Sequence, residues 1–260
     1  MYAEERQREI LERVRREGKV SVEALVEALG VSAPTVRADL GTLEARRLLR
    51  RTHGGAILPE TTLYEPPYAE RGRANQAEKA RIGACAAARV RDHETVLLDA
   101  GTTTYEIAVR LKEQVGLTVV TNSLEAVWEL MDAPPGHIET LVVGGAVHAH
   151  RRATLGPLAS EFLSRLHVDR VFLGVNGVSP DAGYTVVDFD AAQVKRAMIA
   201  CAREVVVVAD SGKLGATAFA SVCPLSTAHL LITDAPVEGD LADALAAGGV
   251  EVVVASQRPL

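Results

Sequence analysis

The sequence is short of aromatic residues, which fill 4% of its 260 positions and include a single tryptophan, Trp128. Those few do not interleave with basic residues, which argues against a stacking platform for RNA or single-stranded DNA. Cysteine is scarce as well. Cys85, Cys201 and Cys223 lie far apart and form no CxxC pair, so neither a disulfide framework nor a zinc site is supported, and buried free thiols are expected. No apolar run has the length of a membrane span, and the charged opening MYAEERQREI has no signal-peptide apolar region. A soluble, cytoplasmic protein is expected. There is also no positive excess: 28 Lys and Arg face 34 Asp and Glu, for a net charge of -6, whereas simple nucleic-acid-binding domains are strongly basic.

What is present is a composition typical of globular chains, 48% hydrophobic and 24% charged, with length for two ordinary domains. The charge is unevenly spread. Residues 1–58 hold eleven Lys and Arg against nine Asp and Glu, and the remainder holds 17 against 25. Arg37, Arg46, Arg47, Arg50 and Arg51 are opposed locally by only Asp39 and Glu44. Such a split suggests a DNA-facing module joined to an acidic one, although exposed arginines by themselves are equally a solvated face.

Hydrophobic spacing organises residues 1–58. Ile10, Leu11 and Val14 mark one face of a helix from about Glu4 to Glu17, which Gly18 ends. Ser21 caps a second helix with Val22, Leu25, Val26 and Leu29 inward, and Gly30 breaks it. Ser32 caps a third, with Pro34 in its first turn and Val36, Leu40 and Leu43 on one stripe. Two short helices joined by a glycine turn form a helix-turn-helix, and LLRRTHGGAIL reads as a hairpin wing around Gly54-Gly55. In that arrangement the third helix enters the major groove. Ser32, Thr35 and Thr42 would then contact phosphates or bases, Arg37 would read guanine, and Arg50, Arg51 and His53 would track phosphates.

The run VSAPTVRADLGTLEARRLLRRTHGGAI closely resembles the helix-turn-helix and wing of the DeoR family of bacterial transcriptional regulators. Two departures stand out: Ala38 follows Arg37 where the family usually has a second arginine, and Arg46-Arg47 replaces a glycine.

Residues 59–76, with Pro66-Pro67 at their middle, read as a linker or as a loop packed on either domain. In 77–260, helical stretches alternate with the apolar runs TVLLD, LTVVT, ETLVVGG, RVFLGV, EVVVVAD, HLLITD and EVVVA. This pattern predicts an α/β domain with a mostly parallel sheet covered on both faces. Ligands of such folds gather at the carboxyl ends of the strands. There stand Asp99, Gly101, Thr102, Thr103 and Thr104, then Asn122, Gly144, Gly145, Asn176, Gly177, Asp210 and Lys213. A glycine followed by three hydroxyl residues at a helix start suits a phosphate or carboxylate, though threonines also simply cap helices.

LLDAGTTT, VVTNS, VVGG, LGVNGV, QVKRAMI and ADSGK stand in the order of the DeoR sensor domain, so the resemblance covers nearly the whole chain. It implies a domain similar to ribose-5-phosphate isomerase that binds a phosphorylated sugar or related metabolite. Gly101 to Thr104 would be the phosphate cradle, and Asp99, Asn122, Gly144, Gly145, Asn176, Gly177, Lys195, Asp210 and Lys213 the lining. Asp190-Ala191 stands where a Glu-Ala pair is usual. The expected protein is a repressor, a homodimer or higher homo-oligomer on double-stranded operator DNA, with no cofactor and no metal. His148 and His150 read as solvated loop residues rather than ligands, and Arg151 and Arg152 as a surface pair or as cover for an anion. The alternative is a sugar-phosphate isomerase with Asp188 or Asp190 as base beside Lys195 or Lys213.

Overall fold

The computed structural model describes residues 2–45, 48–52, 54–57 and 65–255. The chain divides into two compact units, Met1–Pro66 and Pro67–Leu260.

In the first unit, α1 (Ala3–Glu17) leads through β1 (Lys19–Ser21) into α2 (Val22–Leu29) and α3 (Ala33–Ala45), followed by β2 (Arg50–Thr52) and β3 (Gly55–Ile57). The spaced apolar residues meet in one core of Ile10, Val14, Leu25, Val36, Leu40 and Leu43, closed by Leu49 and Ala56 from the wing. Ser21 Oγ accepts the Ala24 N–H at 3.1 Å, and Gly30, left-handed at φ 64°, ends α2. β1 is unforeseen in the sequence. It pairs antiparallel with β3 and makes the wing a three-stranded sheet of order β1-β3-β2. Gly55 permits this pairing, since a Cβ there would stand 1.9 Å from the Val20 carbonyl oxygen. Arg6 and Gln7 of α1 both hold the buried Asp39 carboxylate, Arg6 Nε at 2.5 Å, which fixes α3 against α1.

The second unit begins with α4 (Tyr68–Arg73) inside the stretch read as a linker, then α5 (Gln76–Ala87), β4 (Thr95–Leu98), α6 (Thr102–Leu111), β5 (Leu117–Thr121), α7 (Leu124–Leu130) and β6 (Ile138–Val142). A hairpin of β7 (Ala146–His148) and β8 (Ala153–Leu155) precedes α8 (Pro157–Leu163) and β9 (Val168–Gly174). The chain continues through β10 (Gly177–Ser179), β11 (Gly183–Val186), α9 (Phe189–Ala200), β12 (Ala202–Val208), β13 (Ala220–Cys223), β14 (Leu230–Thr233), α10 (Gly239–Ala247) and β15 (Glu251–Val254).

Seven strands form one sheet of order β15-β14-β12-β9-β4-β5-β6, with every pairing parallel. Alternate residues feed opposite cores. Leu97, Val171, Leu173, Val205 and Val207 meet α8, α9 and α10, while Val96, Leu98, Phe172, Val206 and Val208 meet α5, α6 and α7. Apolar side chains on both faces are why these strands read as unbroken β-branched runs. From β4 the chain steps outward to β5 and β6, then returns to β9 beside β4 and steps the other way. The order reverses between β4 and β9, and the crevice of a doubly wound sheet opens at such a reversal.

Candidate DNA-reading surface and anion site

Along α3, Val36, Asp39, Leu40 and Leu43 are buried, leaving Pro34, Arg37, Ala38 and Thr42 exposed on the other face. Arg37 has no hydrogen bond or ion pair among the described residues, so its guanidinium is available to a base edge. Ser32 Oγ and Thr35 Oγ1 lie 2.9 Å apart at the helix start, and the Thr42 hydroxyl donates to the Ala38 carbonyl at 3.1 Å. Arg50 and Arg51 are exposed on β2, with an Arg51 guanidinium nitrogen 3.7 Å from where a Cβ on Gly41 would stand. The Arg51 side chain of the wing therefore reaches the recognition helix beside Gly41, one turn on from Arg37. His53, Arg46 and Arg47 lie outside the described residues.

The second site forms at the switch point. Asp99, just past β4 and 3% exposed, accepts the Gly174 N–H from the end of β9 at 3.0 Å and pairs with the buried Lys195 of α9. A carboxylate at the foot of α6 would repel an anion from the helix N-terminus. The Lys195 ammonium cancels it. Asn122, past β5, accepts the Ala100 N–H at 2.9 Å and donates to the Thr154 carbonyl at 3.1 Å. The Thr104 hydroxyl donates inward to the carbonyl of Asp99 at 2.6 Å. These three side chains shape the loop rather than face its opening. The hydroxyls of Thr102 and Thr103 differ: both residues are nine-tenths buried, yet neither hydroxyl has a hydrogen-bond partner among the described residues. With the unsatisfied N–H groups of the first turn, they form a donor set at the positive end of α6.

The remaining predicted residues follow other strands of the sheet, β6, β9 and β12. Gly145, past β6, has φ 144°, and a Cβ there would fall 2.6 Å from the Leu155 carbonyl oxygen, so the β7–β8 hairpin needs this glycine. Gly144 meets no such obstacle. Asn176 Oδ1 accepts the Val187 N–H at 3.3 Å. A Cβ on Gly177 would reach within 2.4 Å of the Ala216 carbonyl oxygen, so its absence lets the loop carrying Lys213 close onto β10. Asp210, 3% exposed, accepts from Asn75 Nδ2 at 2.9 Å. Asp188 is engaged as the α9 cap, accepting the Ala191 N–H at 2.8 Å, and faces Arg151 at 3.6 Å; Asp190 is exposed.

Two features escape sequence reasoning. Lys79 on α5 is 5% exposed and donates to the carbonyls of Arg71 and Ala74 at the end of α4, the latter at 2.6 Å. Burial lowers its pKa to about 8, Lys213 and Arg71 add to the effect, and Asp210 opposes it. Its signal was a lysine on the buried stripe shared by Ile82, Gly83 and Ala86. The ring of Tyr68 in α4 is approached by the guanidiniums of Arg71 and Arg152, 5.6 and 5.3 Å from the ring centre. Burial raises its phenol pKa. Among the described residues no His, Cys, Asp or Glu side chains group as a metal site, and no helix is long and apolar enough to cross a membrane. Cys201 is a buried free thiol, whereas Cys85 and Cys223 are only partly buried.

A winged helix-turn-helix followed by an α/β domain whose strand order reverses between β4 and β9 defines a DNA-binding transcriptional regulator that carries its own sensor domain. Residues 6–62 match the DeoR-like helix-turn-helix domain, and residues 74–235 match the DeoR C-terminal sensor domain. The chain belongs to the DeoR family. It is 37% identical over 99% of its length to the HTH-type transcriptional repressor GlcR of Bacillus subtilis, covering 98% of that protein. It is 35% identical over 97% of its length to the regulator GlpR of Haloferax volcanii, covering 98%. The glycerol-3-phosphate regulon repressor of Escherichia coli is 32% identical over 91% of this chain and 92% of its own. Among solved structures, ribose 5-phosphate isomerase A of Methanocaldococcus jannaschii matches 54% of this chain and 55% of its own at 20% identity and a TM-score of 0.39. Translation initiation factor eIF-2B of Pyrococcus horikoshii matches 83% and 82% at 16% identity and a TM-score of 0.46.

Proposed function

We propose that this regulator is a repressor whose sensor domain binds a phosphorylated sugar or related phosphate ester at the N-terminus of α6. The observation that carries this reading is the pair of unpartnered hydroxyls, Thr102 and Thr103, beside the free N–H groups of the first helical turn. Lys213 supplies positive charge, and Asp99, Lys195, Thr104 and Asn122 hold the loop in shape. GlcR and the glycerol-3-phosphate regulon repressor are named as repressors, and the second name carries a phosphate ester, which supports both parts of the proposal. An effector that binds the DNA-free arrangement more tightly withdraws the protein from its operator by linkage.

The domain binds its ligand without turning it over. Asp188 is committed to its cap and to Arg151, and Asp99 and Lys195 to each other. The protein works in the cytoplasm on double-stranded operator DNA as a dimer or higher oligomer, because one recognition helix and wing give a small footprint. A thermal-shift screen of sugar phosphates tests the site. At least one phosphate ester should raise the melting temperature of the wild-type chain and fail to do so in Thr103→Val. A melting temperature indifferent to every phosphate ester, or turnover of ribose 5-phosphate, would overturn the reading.

A further inference from the structure

We propose that Lys79 is a latch that senses an anion in the α6 cradle and passes its presence to α4, the first helix after the DNA-binding unit in the chain. This rests on the reading of the cradle as an effector site. α5 leads into β4 and α6 leads out of it, both packed on the same sheet face, so the two helices run side by side in one direction. They approach closely at Gly83, where a Cβ would stand 2.5 Å from Cβ of Glu106. One turn earlier on each helix, Lys79 comes level with Thr102. α4 fills the gap between them: Lys79 Nζ donates to the Arg71 carbonyl, and Gly72 packs against the Thr102 side chain, whose methyl is 3.9 Å from a Cβ position on Gly72.

The Lys79 ammonium is thus held by two neutral carbonyls of the segment whose Gly72 packs on Thr102. Asp210 and Glu106 are the acidic groups acting on it, Arg71 and Lys213 the basic ones, and Asp210 already accepts from Asn75. A phosphate dianion on the first turn of α6 offers this ammonium a charged acceptor, and charge-assisted hydrogen bonds are about twice as strong as neutral ones. The ammonium turns to the anion and releases the carbonyls. α4 leans on them in part, because this helix buries none of its own residues; the Tyr68 amide also donates to the His150 carbonyl at 3.3 Å and the Tyr68 ring packs against Arg152. A segment with so few buried contacts opens at low cost.

Hydrogen exchange of the full chain tests the latch, with inorganic phosphate, glycerol 3-phosphate, glucose 6-phosphate and ribose 5-phosphate as probes. With a bound probe, amides of residues 70–74 should exchange at least about fivefold faster in the wild type, the low end of ordinary coupling between sites. In Lys79→Met those amides should exchange fast without a probe, and affinity for it should fall about tenfold, the loss of one charged hydrogen bond. A bound probe that leaves exchange at 70–74 unchanged or slower in the wild type overturns the latch, and this comparison needs no variant. Binding that Thr103→Val abolishes but Lys79→Met leaves at full strength also overturns the latch while keeping the cradle. Absence of binding by all four probes overturns both.

Discussion

Asp99 and Lys195 show how a buried charge can be structural beside a proposed ligand site. Each is almost wholly enclosed, and the pair ties the end of β4 to α9 directly under the anion cradle. Removing one partner leaves an uncompensated buried charge, so Lys195→Met should destabilise the second unit by about 3–5 kcal/mol in urea unfolding. Asp99→Asn combined with Lys195→Met should recover most of that loss; a double variant as unstable as the single one would contradict the pairing. Lys79 gives a test by pH. Its folded pKa of about 8 lies below its ordinary 10.5, so between these values the unfolded chain binds more protons and stability rises with pH. The unfolding free energy of the wild type should therefore rise relative to Lys79→Met from pH 8 to 10.5; a flat or falling difference would contradict the burial of its charge. On the DNA-reading face, Arg37→Ala should weaken operator binding and relax base preference, whereas Arg50→Ala should weaken it uniformly and flatten its salt dependence. Equal losses on all sequences in both variants would misplace α3.

Elements of the second unit are positioned by glycines as much as by apolar contacts. Gly83 sets the α5–α6 separation, and Gly83→Ala should cost about 1–3 kcal/mol by overpacking. The long parallel strands were legible because buried runs such as EVVVVAD and RVFLGV leave no polar alternation. The strands β1, β7, β8, β10, β11 and β13 were not, because these short pieces lie outside the parallel sheet and none carries the continuous apolar run that marks β4, β14 and β15. The same limit hid α4: a six-residue helix without a buried residue has no apolar stripe to read. The Gly101–Thr104 loop at the start of α6 was legible in the sequence, but not the division of labour among its threonines. Only the fold shows Thr104 turned inward to backbone while Thr102 and Thr103 stay unpartnered.

Across the whole molecule, the net charge of -6 is the sum of a slightly basic reader and an acidic sensor. On the proposed reading, the charge of the acidic domain discourages non-specific adhesion to DNA, and the anion is held through oriented N–H groups and local lysines against the sign of their surroundings. Matches that together run from residue 6 to residue 235 account for both units as parts of one DeoR-family regulator. The central claim is that an anion bound at α6 governs DNA affinity. Its most direct measurement is a titration of operator DNA, selected from a random-sequence library, with the full chain in the presence and absence of each sugar phosphate. The account predicts that one phosphate ester lowers DNA affinity at least about fivefold, and that Thr103→Val binds DNA as the wild type does but loses the response. DNA affinity indifferent to every phosphate ester, or a response that survives Thr103→Val, would contradict it.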